Sequence, residues 1–286
     1  MACLSAAAAA SDEPDSLIGT LGYHRTVQAD TLVDLACHYG LGFLELVAAN
    51  PGVDPWLPGA DVDLVLPTVH VLPDAPHRGI VINLSEQRLY YFPPPPGRVR
   101  SFPVGIGREG WETPVGETEV VGKRARPTWR PPASIRAERP ELPAAIGPGP
   151  HNPLGAFALD LGWTSYVIHG TNKPPGVGRR VSHGCIRLYN DDIAWLFERV
   201  AVGTPVVIVD QPAKLGWFGG ELYLEVHPTQ IQADELEMLG RITPDPAPES
   251  LWRILKAAGD ESRRLDWPLV QRVVQERRGI PVQITK

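Results

Sequence analysis

The stretch Tyr166-Val167-Ile168-His169-Gly170-Thr171-Asn172, followed by Arg180-Val181-Ser182-His183-Gly184-Cys185-Ile186-Arg187-Leu188, concentrates the reactive side chains of the chain. An apolar β-type run ends on His169 and a glycine follows, so the imidazole projects from a strand end. Gly184 lets the backbone approach a ligand closely beside Cys185. A thiol is a weak nucleophile at its ordinary pKa and becomes effective beside a histidine or another positive group. Three readings fit the residues alone. Cys185 is a nucleophile paired with His169, a small buried hydrophobe, or a metal ligand together with His169 and His183. His183 and Cys185 share one face of a strand, but no fourth ligand or paired-cysteine spacing accompanies them.

Outward from this stretch, the sequence reads as a mostly β unit over residues 79–210. Ile80 to Leu84, Arg88 to Phe92, Val99 to Val104, Glu117 to Val121, Ala156 to Leu161, Tyr166 to Ile168 and Val206 to Val209 alternate or run apolar between turn residues. One amphipathic helix is expected over Asp191 to Val200. Residues 123–153, rich in Pro and Arg, read as a long irregular loop, and such loops are usually functional. Residues 211–286 read as a mixed α/β tail, with a hairpin near Glu221 to Val226 and helices near 230–239, 248–258 and 267–278.

Ahead of the β unit, Thr26-Val27 reads as a strand. Asp30-Thr31 caps a helix with Leu32, Val33, Leu35 and Ala36 apolar, and Gly40 ends it. A second helix stops at Asn50-Pro51-Gly52, and Val62 to Leu66 is a strand. Residues 68–78 read as a linker.

The composition narrows the function class. The chain has 286 residues, with 27 Lys+Arg against 33 Asp+Glu, a net charge of −6. That lacks the electrostatic footprint of a nucleic-acid binder. No 18-residue apolar run suits a membrane span. Three cysteines exclude a disulfide framework, and Cys37, on the first helix, is expected to pack. Proline, at 31 residues, is about twice its usual ~5% share; it concentrates in the linker, in the 93–96 turn and in 127–153. Two readings fit Met1 to Ala10 within residues 1–22: the end of a secretory signal with Cys3 as a remnant of lipid attachment, or a flexible alanine-rich tail.

The quoted motif is similar to the signature of the L,D-transpeptidase catalytic domain, the YkuD family: a His, then Ser/Thr-His-Gly-Cys with the Cys about sixteen positions on. Supporting blocks occur in order: Asn83-Leu84 with Arg88-Leu89-Tyr90, Phe102 to Gly107, Thr113 to Gly116, Arg126 to Trp129, Asn152 to Gly155 and Gly203 to Val206. The stricter pattern has Asn where this chain has Arg187, which marks the branch from bacteria with an outer membrane. Residues 23–67 resemble a LysM module, which binds N-acetylglucosamine-containing glycans. The resembling residues are Tyr23, Thr26-Val27-Gln28, Asp30-Thr31-Leu32, Ala48 to Pro51, Pro58-Gly59 and Leu64 to Pro67, with Gln28-Ala29-Asp30 where that family carries Pro-Gly-Asp.

The resemblance implies a YkuD-type β-sandwich with one short helix, behind a small βααβ module. It implies that Cys185 attacks a peptidoglycan tetrapeptide stem, releases D-alanine and holds the acyl group as a thioester. An amine then takes it: a diamino acid of another stem, or a lysine of an outer-membrane-anchoring lipoprotein. His169 would be the general acid/base, oriented by the Gly170 carbonyl. Backbone N–H groups around His183, Gly184 and Cys185 would form the oxyanion hole, and Ser182 would shape the turn. Arg187, Tyr166 and Trp129 are candidate substrate contacts, with Arg124, Arg126 and Arg130 as further partners for stem carboxylates. No cofactor or metal is implied, and the implied location is the periplasm. The alternatives are a hydrolytic L,D-carboxypeptidase and a non-catalytic protein that only tethers peptidoglycan.

Overall fold

The computed structural model describes residues 16–244 and 254–286. The alanine-rich start with Cys3, and most of the helix expected over 248–258, lie outside these residues.

Eight strands form one sheet in the order Ile186–Arg187, Val167–His169, Phe157–Leu161, Gly116–Ala125, Pro205–Val209, Gly79–Asn83, Arg88–Phe92, Arg100–Pro103. Two neighbouring pairs are parallel, Pro205–Val209 with Gly79–Asn83 and Ile186–Arg187 with Val167–His169; the other pairings are antiparallel. The sheet is curled, and the expected mostly β unit is present. It rolls until its edges meet at a bridge between Gly105, just past one edge strand, and Arg187, on the other. Rolling gathers Ile80, Leu89, Phe102, Leu159, Ile168 and Ile186 into one core, which the helix Asn190–Arg199 closes with Ile193 and Leu196.

The strand Gly79–Asn83 is buried on both faces. Ile80 and Ile82 face that core, whereas Val81 packs with Tyr90 and Phe92 under Ile18 and Leu72. A continuous apolar run is what burial on both faces requires. The cover comes from stretches expected to be unstructured: Leu17–Gly19 pairs with Val69–Val71, which lies within the expected linker.

The N-terminal unit has the expected strand-helix-helix-strand order. Its first strand is Gly22–Arg25, paired with Asp63–Leu66, and not Thr26-Val27. Thr31 caps the helix Leu32–Tyr39, its Oγ1 accepting the Asp34 N–H at 3.1 Å, and Gly40 closes it in the left-handed region at φ 64°. Leu32, Leu35 and Ala36 face inward. Cys37 therefore falls on the outer face and is exposed rather than packed. The second helix is Phe43–Ala49. This core is completed from outside the unit, by Ala233 and Leu236 of the helix Gln230–Leu239.

The tail forms a hairpin of Ala213–Phe218 and Glu221–Val226, extended by Val282–Gln283 and packed on the helix Trp267–Glu276. A buried ionic cluster joins all three regions. Lys214 Nζ lies 2.8 Å from Glu86 and 3.0 Å from Glu225, and Arg88 reaches across to Glu45 of the N-terminal unit at 2.5 Å. Among the described residues no single helix is long and apolar enough to cross a membrane.

Candidate active site

Cys185 immediately precedes the strand Ile186–Arg187, whose parallel register sets Ile186 beside Ile168 and Arg187 beside His169. Extending that register by one residue puts Cys185 beside Val167. Alternation along each strand then places Val167, His169, Cys185 and Arg187 on one face. All four line a cleft of about 610 Å³, together with Tyr166 and Trp129.

His169 is buried. Its Nδ1 lies 2.6 Å from the Gly170 carbonyl, which can only accept, so Nδ1 carries the proton and Nε2 is a bare acceptor. Burial pushes its pKa down to about 3, with the Arg187 and Arg124 guanidiniums adding to the shift against the Gly170 hydrogen bond. Burial likewise raises the Cys185 thiol, although the Val167 N–H and the charge of Arg187 pull it the other way. The thiol donates to the Ser165 carbonyl at 3.4 Å. The resting pair is thus a neutral thiol and a neutral imidazole. Such a pair can pass a proton from sulfur to nitrogen as sulfur attacks a carbonyl.

The turn before Cys185 is held by Ser182, whose Oγ donates to the Cys185 carbonyl at 2.6 Å and accepts the Gly184 N–H at 3.1 Å. Gly184 sits at φ 94°, and a Cβ there would stand 2.8 Å from the Tyr166 ring. Its N–H is committed to Ser182, so it differs from the expected free oxyanion donor. The N–H groups of His183 and Cys185 remain the candidates.

His183 also lines the cleft, but its ring is engaged elsewhere. Nε2 lies 2.9 Å from Glu138 and 3.1 Å from Arg108, and the ring packs edge-on against Trp111 at 4.9 Å. Glu138 in turn accepts from Arg108 at 2.8 and 3.0 Å. It ends a six-residue helix, Ala133–Glu138, inside the stretch expected to be irregular, and the sheet strand Gly116–Ala125 also runs into that stretch. Ser134 and Ile135 of this helix and Trp129 before it wall the cleft, and no residue of the helix is buried. Pro132 before and Pro140 after Ala133–Glu138 are the sequence signal that brackets it.

Arg124 lines the cleft while paired with Asp160 at 2.6 and 2.9 Å. Arg130 also lines it, whereas Arg126 borders a separate cavity with Thr171 and Asn190. Arg187 presents a partly buried guanidinium whose pKa burial lowers. His70, Glu86 and Glu225 have metal-ligand spacing, but Lys214 supplies a cation to both carboxylates there.

The model of the YkuD L,D-transpeptidase catalytic domain matches residues 77–208. Over 282 residues the chain is 41% identical to the probable L,D-transpeptidase YcfS of Escherichia coli K12, covering 94% of this chain and 85% of that one. It is 42% identical over 273 residues to the probable L,D-transpeptidase ErfK/SrfK of the same strain, covering 93% and 85%. For the probable L,D-transpeptidase YbiS the identity is 40% over 255 residues, covering 87% and 81%.

Proposed function

The chain belongs to the L,D-transpeptidase family, and from that premise we propose that Cys185 is its nucleophile and peptidoglycan tetrapeptide stems are its acyl donors. The carrying observation is that Cys185 and His169 face one cleft with the imidazole held as its Nδ1–H tautomer. Cys185 Sγ attacks the carbonyl before the terminal D-alanine while His169 Nε2 takes the thiol proton. The oxyanion faces the backbone N–H groups of His183 and Cys185; one such donor is worth about 2.7–4 kcal/mol of barrier. The imidazolium then protonates the departing D-alanine amine, leaving a thioester. An acceptor amine gives its proton to His169 and takes the acyl group; the thioester C–S bond breaks, and His169 returns the proton to the Cys185 thiolate. Arg187 holds a stem carboxylate through its planar fork, with Tyr166 and Trp129 as walls.

The finer reading extends along the chain. Residues 23–67 act as a LysM-like glycan-binding module, 79–210 as the catalytic unit, and 211–286 as a subdomain that braces both. The site of action is the periplasm. The acceptor is a lysine of an outer-membrane-anchoring lipoprotein or a diamino acid of another stem, and the whole-chain arrangement favours the lipoprotein.

The test is incubation with a carbapenem and, separately, with stem tetrapeptide. A covalent mass adduct and D-alanine release are expected, both lost in Cys185→Ala. A Cys185→Ala protein that still joined stems would overturn the nucleophile. Joining to a lipoprotein lysine, to a second stem or to water would be read from the linked muropeptides.

A further inference from the structure

We propose that Asn190 is a positioning residue for His169: its carboxamide fixes the peptide plane whose carbonyl sets the imidazole tautomer. This rests on the reading of His169 as the base, and it deepens that reading.

The strand Val167–His169 ends on the histidine itself. Its last backbone bonds run from the Leu188 N–H to the His169 carbonyl at 2.8 Å and from the Gly170 N–H to the Phe157 carbonyl at 3.2 Å. The peptide group that joins Gly170 to Thr171 therefore lies just past the sheet. Its carbonyl is the one that accepts from His169 Nδ1 at 2.6 Å. A glycine leaves this plane free to turn about the bonds on either side of its Cα, so sheet pairing alone does not fix it.

Asn190 supplies the missing hold. Its Oδ1 accepts the Thr171 N–H at 3.1 Å, and its Nδ2 donates to the Thr171 carbonyl at 2.9 Å. The Thr171 N–H and the Gly170 carbonyl belong to one planar peptide unit and point opposite ways. Fixing the N–H on one side fixes the carbonyl on the other. A chain of hydrogen bonds then runs from Nδ1–H through the peptide to Oδ1, and each bond polarises the next.

The packing is built around this amide. A Cβ on Gly170 or on Gly155 would stand 2.4 Å from Asn190 Oδ1, so both glycines clear its place. Asn190 also opens the helix Asn190–Arg199, whose N-cap Tyr189 makes no side-chain cap bond. Asparagine near a helix start ordinarily bonds the helix's own backbone. Here it turns to Thr171 instead.

The imidazole is neutral at neutral pH, so the choice of tautomer is the freedom left to it. Without the clamp the Gly170 carbonyl turns away and the proton moves to Nε2. A ring protonated there cannot take the thiol proton. Asn190 is exposed on its outer side, so truncating it leaves the core intact.

The test is long-range proton–nitrogen NMR of the histidine rings of the full chain at neutral pH, with His169 assigned by the signals lost in His169→Gln. The wild type should show the Nδ1–H pattern. Asn190→Ala should move His169 toward the Nε2–H pattern, cut kcat for D-alanine release roughly tenfold or more and leave KM near wild type. Asn190→Asp keeps the acceptor for the Thr171 N–H and should retain the Nδ1–H pattern. Asp191→Ala disturbs the same helix start without removing the clamp and should match the wild type in both readouts. An unchanged His169 tautomer in Asn190→Ala would overturn the proposal, as would equal shifts in Asn190→Ala and Asp191→Ala. A tautomer shift specific to Asn190→Ala, with no D-alanine release even by the wild type, would keep the clamp and remove the catalytic reading.

Discussion

Gly42 and Gly178 meet backbone to backbone. A Cβ on Gly42 would sit 3.0 Å from the Gly178 Cα, and one on Gly178 would overlap Gly42 outright. Gly178 also lies at φ 73°, a conformation side chains rarely adopt. This contact joins the N-terminal unit to the segment that delivers Ser182 and Cys185. Gly178→Ala should cost about 1–3 kcal/mol from the backbone conformation alone, and more from the overlap. Denaturant unfolding would measure the loss, and carbapenem acylation should slow with it as the catalytic turn shifts.

The depressed pKa of His169 sets a pH dependence. The ordinary histidine value is 6.5 and the native value about 3. Between them the unfolded chain binds a proton that the native ring refuses. The stability contributed by the neutral ring is complete above about pH 6.5 and is lost as pH falls toward 3, by up to about 1.4 kcal/mol per pH unit. His169→Gln should flatten the pH dependence of the urea midpoint across that window. Acylation by carbapenem should show no loss on passing through pH 6.5, because the imidazole stays neutral there. Alkylation of Cys185 by iodoacetamide should still be rising above pH 9.0, the ordinary thiol value, because the thiol is raised. An alkylation plateau reached at neutral pH would contradict the neutral pair.

Glu138 is a positioning residue for the cleft wall. Its carboxylate is held below the usual range by the hydrogen bond from His183, with Arg108 adding to the effect. The pair is partly exposed and solvent-screened, so its effect on global stability should be small. Its effect on the wall should be larger, because the helix Ala133–Glu138 has no buried residue to hold it. Glu138→Gln should raise KM for stem peptides several-fold, leave kcat close to wild type and speed tryptic cleavage at Arg136. Glu138→Asp should restore part of the protection. Unchanged proteolysis and KM would count against the latch.

Lys214 holds two carboxylates that have no solvent, since Glu86 and Glu225 are both fully buried. Removing one partner of such a group leaves uncompensated buried charge, worth about 3–5 kcal/mol. Lys214→Met should lower stability by that order in chemical denaturation. Adding Glu225→Gln should recover part of it, because one stranded charge is then gone.

The candidate site was legible in local sequence because it is local. His169-Gly170 and Ser182-His183-Gly184-Cys185 carry both proposed reacting groups, and the Ser182 turn closes within four residues. The strands around them could be read from alternation, and both N-terminal helices from Thr31, Gly40 and Asn50. Other features were hidden because their partners are distant. Glu138 meets His183 across 45 positions, and Val71, in an expected linker, donates its N–H to Glu225 across 154. The bridge between Gly105 and Arg187 was hidden too, because strand periodicity marks which side chains face inward, but not where a sheet's edges meet.

The sequence by itself determined the candidate pair Cys185 and His169, most strands and the main helices of the described chain, and the family, because these rest on short motifs and on periodicities of two and 3.6 residues. Only the tertiary structure decided that the linker is a covering strand, that the tail completes the N-terminal core with Ala233 and Leu236, and that Gly184 spends its N–H on Ser182. Those outcomes depend on long-range burial. A buried polar group or apolar face takes whichever partner the closed chain brings within reach, and spacing along the sequence does not encode that choice.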